Sequence, residues 1–271
     1  MSAAPRARPL NRLRTAIGTL LSREIGVLTN AIAFNFLLCL FPLLLVVAAV
    51  SQQLPAGRRL SGALTLLLAE LIPFEHDALL ASLRALAHKA RGLEIASLML
   101  IIWGSSGIFV PVEMALNRAW GGTPNRNFFR ARSLAFVMTV ACGLSALLSV
   151  ALTSAARSYR AEWPTLAEYG ARVSALLLSY ALFFLIYRFI PGTRVRSGVA
   201  VRASLWAGTT WEAAKYLFVL RLPALNLKAF YGPLAFAVAL ILWAYLSSLI
   251  LVFGALMVAP AGRPARDRRS R

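Results

Sequence analysis

The sequence predicts an all-α polytopic membrane protein with six transmembrane helices and an extracytoplasmic helical hairpin between the first and second. Three observations predict it. Six apolar runs lie at about 31–50, 95–112, 133–154, 173–190, 203–222 and 233–258. Each is close to the ~20 residues that a helix needs to cross ~30 Å of hydrocarbon. The runs 31–50, 133–154 and 233–258 contain no Asp, Glu, Lys or Arg. Charged residues make up only 14% of the 271 residues and sit almost wholly between the runs, whereas a typical soluble domain is about 25% charged. A soluble chain of this length has no interior for six such helices.

The charge also predicts an orientation. Of 29 Lys and Arg, eighteen fall in the N-terminal segment, 114–132, 188–202 and the C-terminal tail, and ten in the alternate segments 51–92, 155–172 and 221–232; Lys215 lies inside a run. The excess marks the cytoplasmic side, so both termini are expected in the cytoplasm of a multi-pass membrane protein. An even number of spans agrees with that. The net charge of +19 could suggest nucleic acid. Its confinement to connectors points instead to topology and to anionic lipid headgroups, so membrane lipids are the expected partners and nucleic acid is not.

Taken in order, residues 1–30 form a basic segment. Leu10, Leu13, Ile17, Leu20, Leu21, Ile25 and Leu28 recur at helical spacing against Arg12, Arg14 and Arg23. This predicts either an amphipathic helix in the cytoplasmic interface or a simple extension of the first span. No cleavage-like site follows a short apolar core, so a cleaved signal peptide is not expected. In the first span Pro42 removes a backbone hydrogen bond and should kink or loosen the helix. Asn35, on about the same face, calls for an interhelical partner. In the connector 51–92, Pro73 stops a short apolar stretch and Asp77 can cap a second helix, which gives the hairpin on or in the outer membrane face. His76 between Glu75 and Asp77 reads as a solvated helix start, because three adjacent residues converge poorly on one ion.

The second run carries Gly104 and Gly107, which let a neighbouring helix approach closely. Glu113 follows near its cytoplasmic end and is expected to pair with a local arginine such as Arg118. The third run, which contains Cys142, is plain; with Cys39 this cysteine reads as a small core residue. The fourth ends at Arg188, whose side chain can snorkel to the cytoplasmic interface. The fifth run differs from the rest. Glu212 and Lys215 sit at about mid-span, three residues apart, and can pair on one helix face. Ser204 and Gly208 share that face. Charges at mid-bilayer cost ~2.5–3.5 kcal/mol each on insertion scales, which makes such residues functional candidates by default. The stripe either lines a substrate path or holds the helix in the bundle. The six spans together define a domain over 31–258, followed by a basic, disordered tail over 259–271.

Catalytic chemistry is not proposed by the chain. P-loop, GxGxxG and HExxH patterns are absent, no His/Cys cluster has metal-ligand spacing, and the ten acids are scattered. No enzyme activity, metal or cofactor is expected.

A series of motifs runs along the chain: Ala33 to Pro42 in the first span, Ala115 to Trp120 (with Asn117 and Arg118) after the second, and Leu185 to Pro191 at the end of the fourth. Trp211 to Phe218 lies in the fifth, and Tyr231, Gly232, Trp243, Gly254 and Ala255 mark the sixth. Their order resembles the YihY/BrkB family of bacterial inner-membrane proteins, which implies localisation in the inner (cytoplasmic) membrane of bacteria. The resemblance covers about 20–258. It implies a six-helix inner-membrane protein connected with envelope and serum-resistance phenotypes and with lipid or lipopolysaccharide export. The family also carries a ribonuclease label, which the missing chemistry does not support. Members often carry an acid just after the Gly-Ala of the last helix, where this chain has Leu256 and Met257. The expected function is thus a transporter or a lipid-handling, envelope-maintenance protein. The alternative is a non-transporting scaffold or assembly partner for envelope proteins, of undetermined oligomeric state.

Overall fold

A computed structural model describes residues 9–53, 108–121, 164–193 and 195–259. The regular structure among them is entirely helical. The elements are α1 (Pro9–Leu20), α2 (Arg23–Gln53), α3 (108–120), α4 (Pro164–Phe189), α5 (Ser197–Arg221), the short α6 (Leu227–Tyr231) and α7 (Ala235–Met257). The hairpin expected over 51–92, Gly104 and Gly107, the third run and the tail from 260 onward lie outside the described residues.

The N-terminal segment resolves both readings of residues 10–29 into one arrangement. A break at Leu21 and Ser22 separates α1 from α2. Residues 23–30 therefore extend the first apolar run, while 9–20 form their own helix, packed on α7. The backbone of α2 continues as helix through position 42 to Gln53, so Pro42 does not end it. The Asn35 amide donates to the Ala31 carbonyl one turn back, at 2.8 Å. It turns to its own helix rather than to the expected neighbour.

The other helices follow from the sequence with shifted ends. α3 carries the second run on to Trp120 and stops at Gly121, whose φ of 70° ends the helix without Cβ strain. α4 begins at Pro164, nine residues before the apolar run, a position where proline's missing N–H costs nothing. Between α5 and α7 the chain reverses through two 3₁₀ turns, each opened by proline chemistry at Pro223 and Pro233. Asn226 and Gly232 take positive φ there, 48° and 50°, a backbone region that Asn and Gly enter most readily.

α7 is the central helix. It packs against α1, α2 and α5, and α4 packs on α5. Trp243, Val252 and Ala255 are fully buried on it. Close approach is made possible by small residues. A Cβ on Gly254 would lie 2.7 Å from the Ala207 Cβ and 2.9 Å from the Ala203 carbonyl, so α5 and α7 touch backbone to backbone. A run of aromatic rings fills the core beside this contact. Trp120 meets Tyr187 edge-on at 5.8 Å, Tyr187 stacks on Phe183, Phe183 meets Trp211, and Trp243 lies 5.1 Å from both Trp211 and Phe218.

One helix among the described residues, Ala235–Met257, is long and apolar enough to cross a membrane. At 1.5 Å per residue its 23 residues reach about 35 Å, slightly more than the hydrocarbon core. α5 does not meet that standard, because Glu212 and Lys215 interrupt it. The outer surface is apolar all the same. Phe34, Leu38, Val173, Leu177, Leu205, Trp206, Tyr216, Leu217, Ile241 and Leu242, from four helices, are exposed.

Candidate polar site between helices α4 and α5

α5 presents two faces to the bundle. Ala200, Ala203, Ala207 and Gly208 are buried on it, small residues of the kind that let membrane helices approach. The second face carries charge. Lys215 Nζ lies 2.9 Å from Glu212 Oε1, and the two side chains are only 15% and 17% exposed. The pairing expected from their i,i+3 spacing is present. The same Glu212 oxygen accepts a hydrogen bond from Ser179 Oγ of α4 at 3.0 Å. One carboxylate oxygen thus holds a hydroxyl and an ammonium from two helices. Both contacts are charge-assisted, and such bonds are about twice as strong as neutral ones.

Beside this cluster Tyr180 and Thr209 share a hydrogen bond of 3.0 Å between their hydroxyls, at the exposed edge of the α4–α5 contact. The Tyr180 ring lies against Gly208, where any Cβ would overlap it. Gly208 therefore serves as the seat of an aromatic ring. Ser204 is buried and its hydroxyl donates to the Val201 carbonyl of its own helix at 2.8 Å. Of the four residues expected on one polar stripe, Glu212 pairs with Lys215 and reaches across to Ser179 of α4, while Ser204 and Gly208 are taken up in helix packing.

Ser179, Tyr180 and Thr209 were missed from the sequence. The signal that could have found the first two is the dipeptide Ser179-Tyr180 in the middle of the largely apolar fourth run.

A second constellation gathers at the far end of the bundle. Arg118 pairs with Glu24 at the start of α2, not with Glu113 as expected. The reason is reach: Glu113 lies more than a turn back along α3 and points inward, with its Oε1 buried and without a hydrogen-bond partner among the described residues. Asn117, 2% exposed, accepts from the Gly192 N–H at 2.9 Å through its Oδ1. Its Nδ2 is likewise buried without a partner among the described residues. Trp120 donates to the Ala255 carbonyl at 3.1 Å and Tyr187 to the Leu251 carbonyl at 2.6 Å. Arg188 lies with its guanidinium carbon 5.8 Å from the Phe189 ring centroid. These contacts collect the start of α2, the ends of α3, α4 and α7, and the turn before α5 at a single end of the bundle.

Among the described residues there is no group of three or more His, Cys, Asp or Glu able to hold a metal ion.

A family model described as virulence factor BrkB matches residues 16–270. The chain is similar to a UPF0761 membrane protein of Ralstonia nicotianae, 32% identical over 271 residues, covering 94% of this chain and 59% of that protein. A UPF0761 membrane protein of Aromatoleum aromaticum is 27% identical, covering 93% and 63%. One of Chromohalobacter salexigens is 27% identical, covering 88% and 60%. The chain spans about three-fifths of the length of these curated relatives. No solved structure matches it.

Proposed function

The chain belongs to the virulence factor BrkB family of membrane proteins, and from that premise we propose that it is a six-span inner-membrane protein that moves or handles lipid. No enzymatic activity and no cofactor are part of this reading. The observation that carries it is the Ser179–Glu212–Lys215 cluster, set between two helices whose remaining outer surface is apolar. Ionisable groups within a membrane span are costly and are functional candidates by default.

The direction of the helices supports the span count. α2 and α5 run away from the end that gathers Glu24, Asn117, Gly192 and Ala255, whereas α3, α4 and α7 run toward it. Spans one, two, four, five and six of the sequence reading require these directions. Two successive helices that both run toward the same end, α3 and α4, need an odd number of crossings between them, and the sequence offers one apolar run of spanning length there, 133–154. Among the described residues Arg23, Arg118, Arg188 and Arg196 stand at that shared end, and by the positive-inside rule this supports a cytoplasmic assignment for it.

The test is reconstitution. Purified protein in lipid vesicles should exchange labelled phospholipid between leaflets faster than protein-free vesicles do. Exchange at the protein-free rate, for every lipid tested, would end the proposal.

One observation favours the second reading, a scaffold for envelope proteins. The Ser179 bond ties α5 to α4 and could serve packing alone. Co-purification of a stoichiometric envelope partner, with no lipid exchange, would support it.

A further inference from the structure

We infer that the Ser179–Glu212–Lys215 cluster, with the Tyr180–Thr209 hydroxyls beside it, binds the headgroup of a zwitterionic phospholipid that carries a primary ammonium: phosphate on Lys215, ammonium on Glu212. This rests on the lipid-handling reading above.

The first argument is charge. Glu212 and Lys215 are 2.9 Å apart and cancel. An anionic headgroup that reaches Lys215 also meets the Glu212 carboxylate, and a lone cation meets the reverse conflict. A headgroup bearing both charges satisfies both. The second argument is exchange. In a site shielded from water, a charge that loses its partner is expensive. When a zwitterion enters, one internal pair opens and two external pairs form, so neither side chain is left alone. Ser179 matters at that moment. Its hydroxyl stays on the Glu212 oxygen at 3.0 Å and holds the carboxylate in place while Lys215 turns to the phosphate.

Donor chemistry narrows the class. Glu212 is placed to accept N–H and O–H bonds, as it does from Lys215 and Ser179. A primary ammonium offers N–H groups, whereas a quaternary ammonium offers none. The hydroxyls of Tyr180 and Thr209, 3.0 Å apart at the exposed edge of the cluster, can turn to phosphate oxygens. The acyl chains need an apolar surface beside the headgroup, and exposed Leu205, Trp206, Tyr216 and Leu217 on α5 provide one.

The test compares three lipids with the same acyl chains in vesicles containing the protein: phosphatidylethanolamine, phosphatidylcholine and phosphatidylglycerol. Wild-type protein should move the ethanolamine lipid at least about tenfold faster than either of the others, the loss expected when one charge-assisted contact is missing. Glu212→Gln and Lys215→Met should each bring that rate down to the level of the other two. Exchanging the charges, Glu212→Lys with Lys215→Glu, should restore the preference. Equal movement of all three lipids by wild type would overturn the inference and leave lipid handling standing. No movement of any lipid would remove both. The wild-type comparison needs no variant, and Thr209→Val, which keeps both charges, should narrow the preference if a single-charge variant does not fold. An unchanged preference in Thr209→Val and Lys215→Met together would also overturn the inference.

Discussion

At the residue scale, close packing makes individual positions decisive. Gly254 sits where α7 meets α5, and a Cβ there has nowhere to go between Ala207 and the Ala203 carbonyl. Gly254→Ala should destabilise the protein by ~1–3 kcal/mol, the usual cost of overpacking, read as a lower unfolding temperature in detergent. Gly26 in α2 is the internal control. Nothing lies within 4 Å of its Cβ position, so Gly26→Ala should leave stability unchanged or raise it by ~0.5–1 kcal/mol through helix propensity. Tyr187→Phe removes the bond to the Leu251 carbonyl inside the core and should cost ~0.5–1.5 kcal/mol, the net worth of one hydrogen bond. None of these partners was legible in the sequence. Leu251 and Tyr187 are 64 residues apart, and Glu24 and Arg118 are 94 apart. Local spacing offered Glu113 to Arg118 instead, because a sequence displays neighbours along a helix and not neighbours across a bundle.

At the element scale, α5 is the helix whose character was most readable. Its length, the i,i+3 spacing of Glu212 and Lys215 and its small-residue face all follow from residue order, and the pair is present. What residue order did not supply is the direction of each face. Gly208 and Ser204 share a register with Glu212, yet one seats the Tyr180 ring and the other bonds its own backbone. Which face receives charge depends on α4, whose Ser179 supplies the third partner. This arrangement gives a paired prediction. Glu212→Leu alone removes the carboxylate from the Lys215 ammonium and should destabilise by ~3–5 kcal/mol, whereas Glu212→Leu with Lys215→Leu should be neutral or mildly stabilising. In the double variant Ser179 can bond its own helix one turn back. Thermal unfolding of the three proteins decides between these outcomes.

At the scale of the whole molecule, the apolar runs and the arginine bias foretold an all-helical membrane protein, and the family match bears out the resemblance. Helix ends were less legible. α2 begins at Arg23 and α3 runs to Trp120, beyond the apolar runs, because packing and capping extend a helix past the hydrocarbon boundary that hydropathy detects. The proposed six-span arrangement predicts a labelling pattern. With Cys39 and Cys142 replaced by Ala, a cysteine at Thr19 or Ser197 should react with a membrane-impermeant maleimide only after the inner membrane is opened. A cysteine at Ala229, exposed on the short α6 between α5 and α7, should react in spheroplasts without opening. Labelling of all three from one side would break the span count.

The charged pair on α5 is either part of a lipid path or a brace, and these separate most directly in the double variant Glu212→Leu with Lys215→Leu, reconstituted in vesicles after its fold has been checked by gel filtration and thermal unfolding. A lipid path along the charged pair predicts a folded protein whose inter-leaflet lipid exchange has fallen to the protein-free rate. Exchange at the wild-type rate by that folded variant would contradict that path and leave Glu212 and Lys215 as a brace between helices.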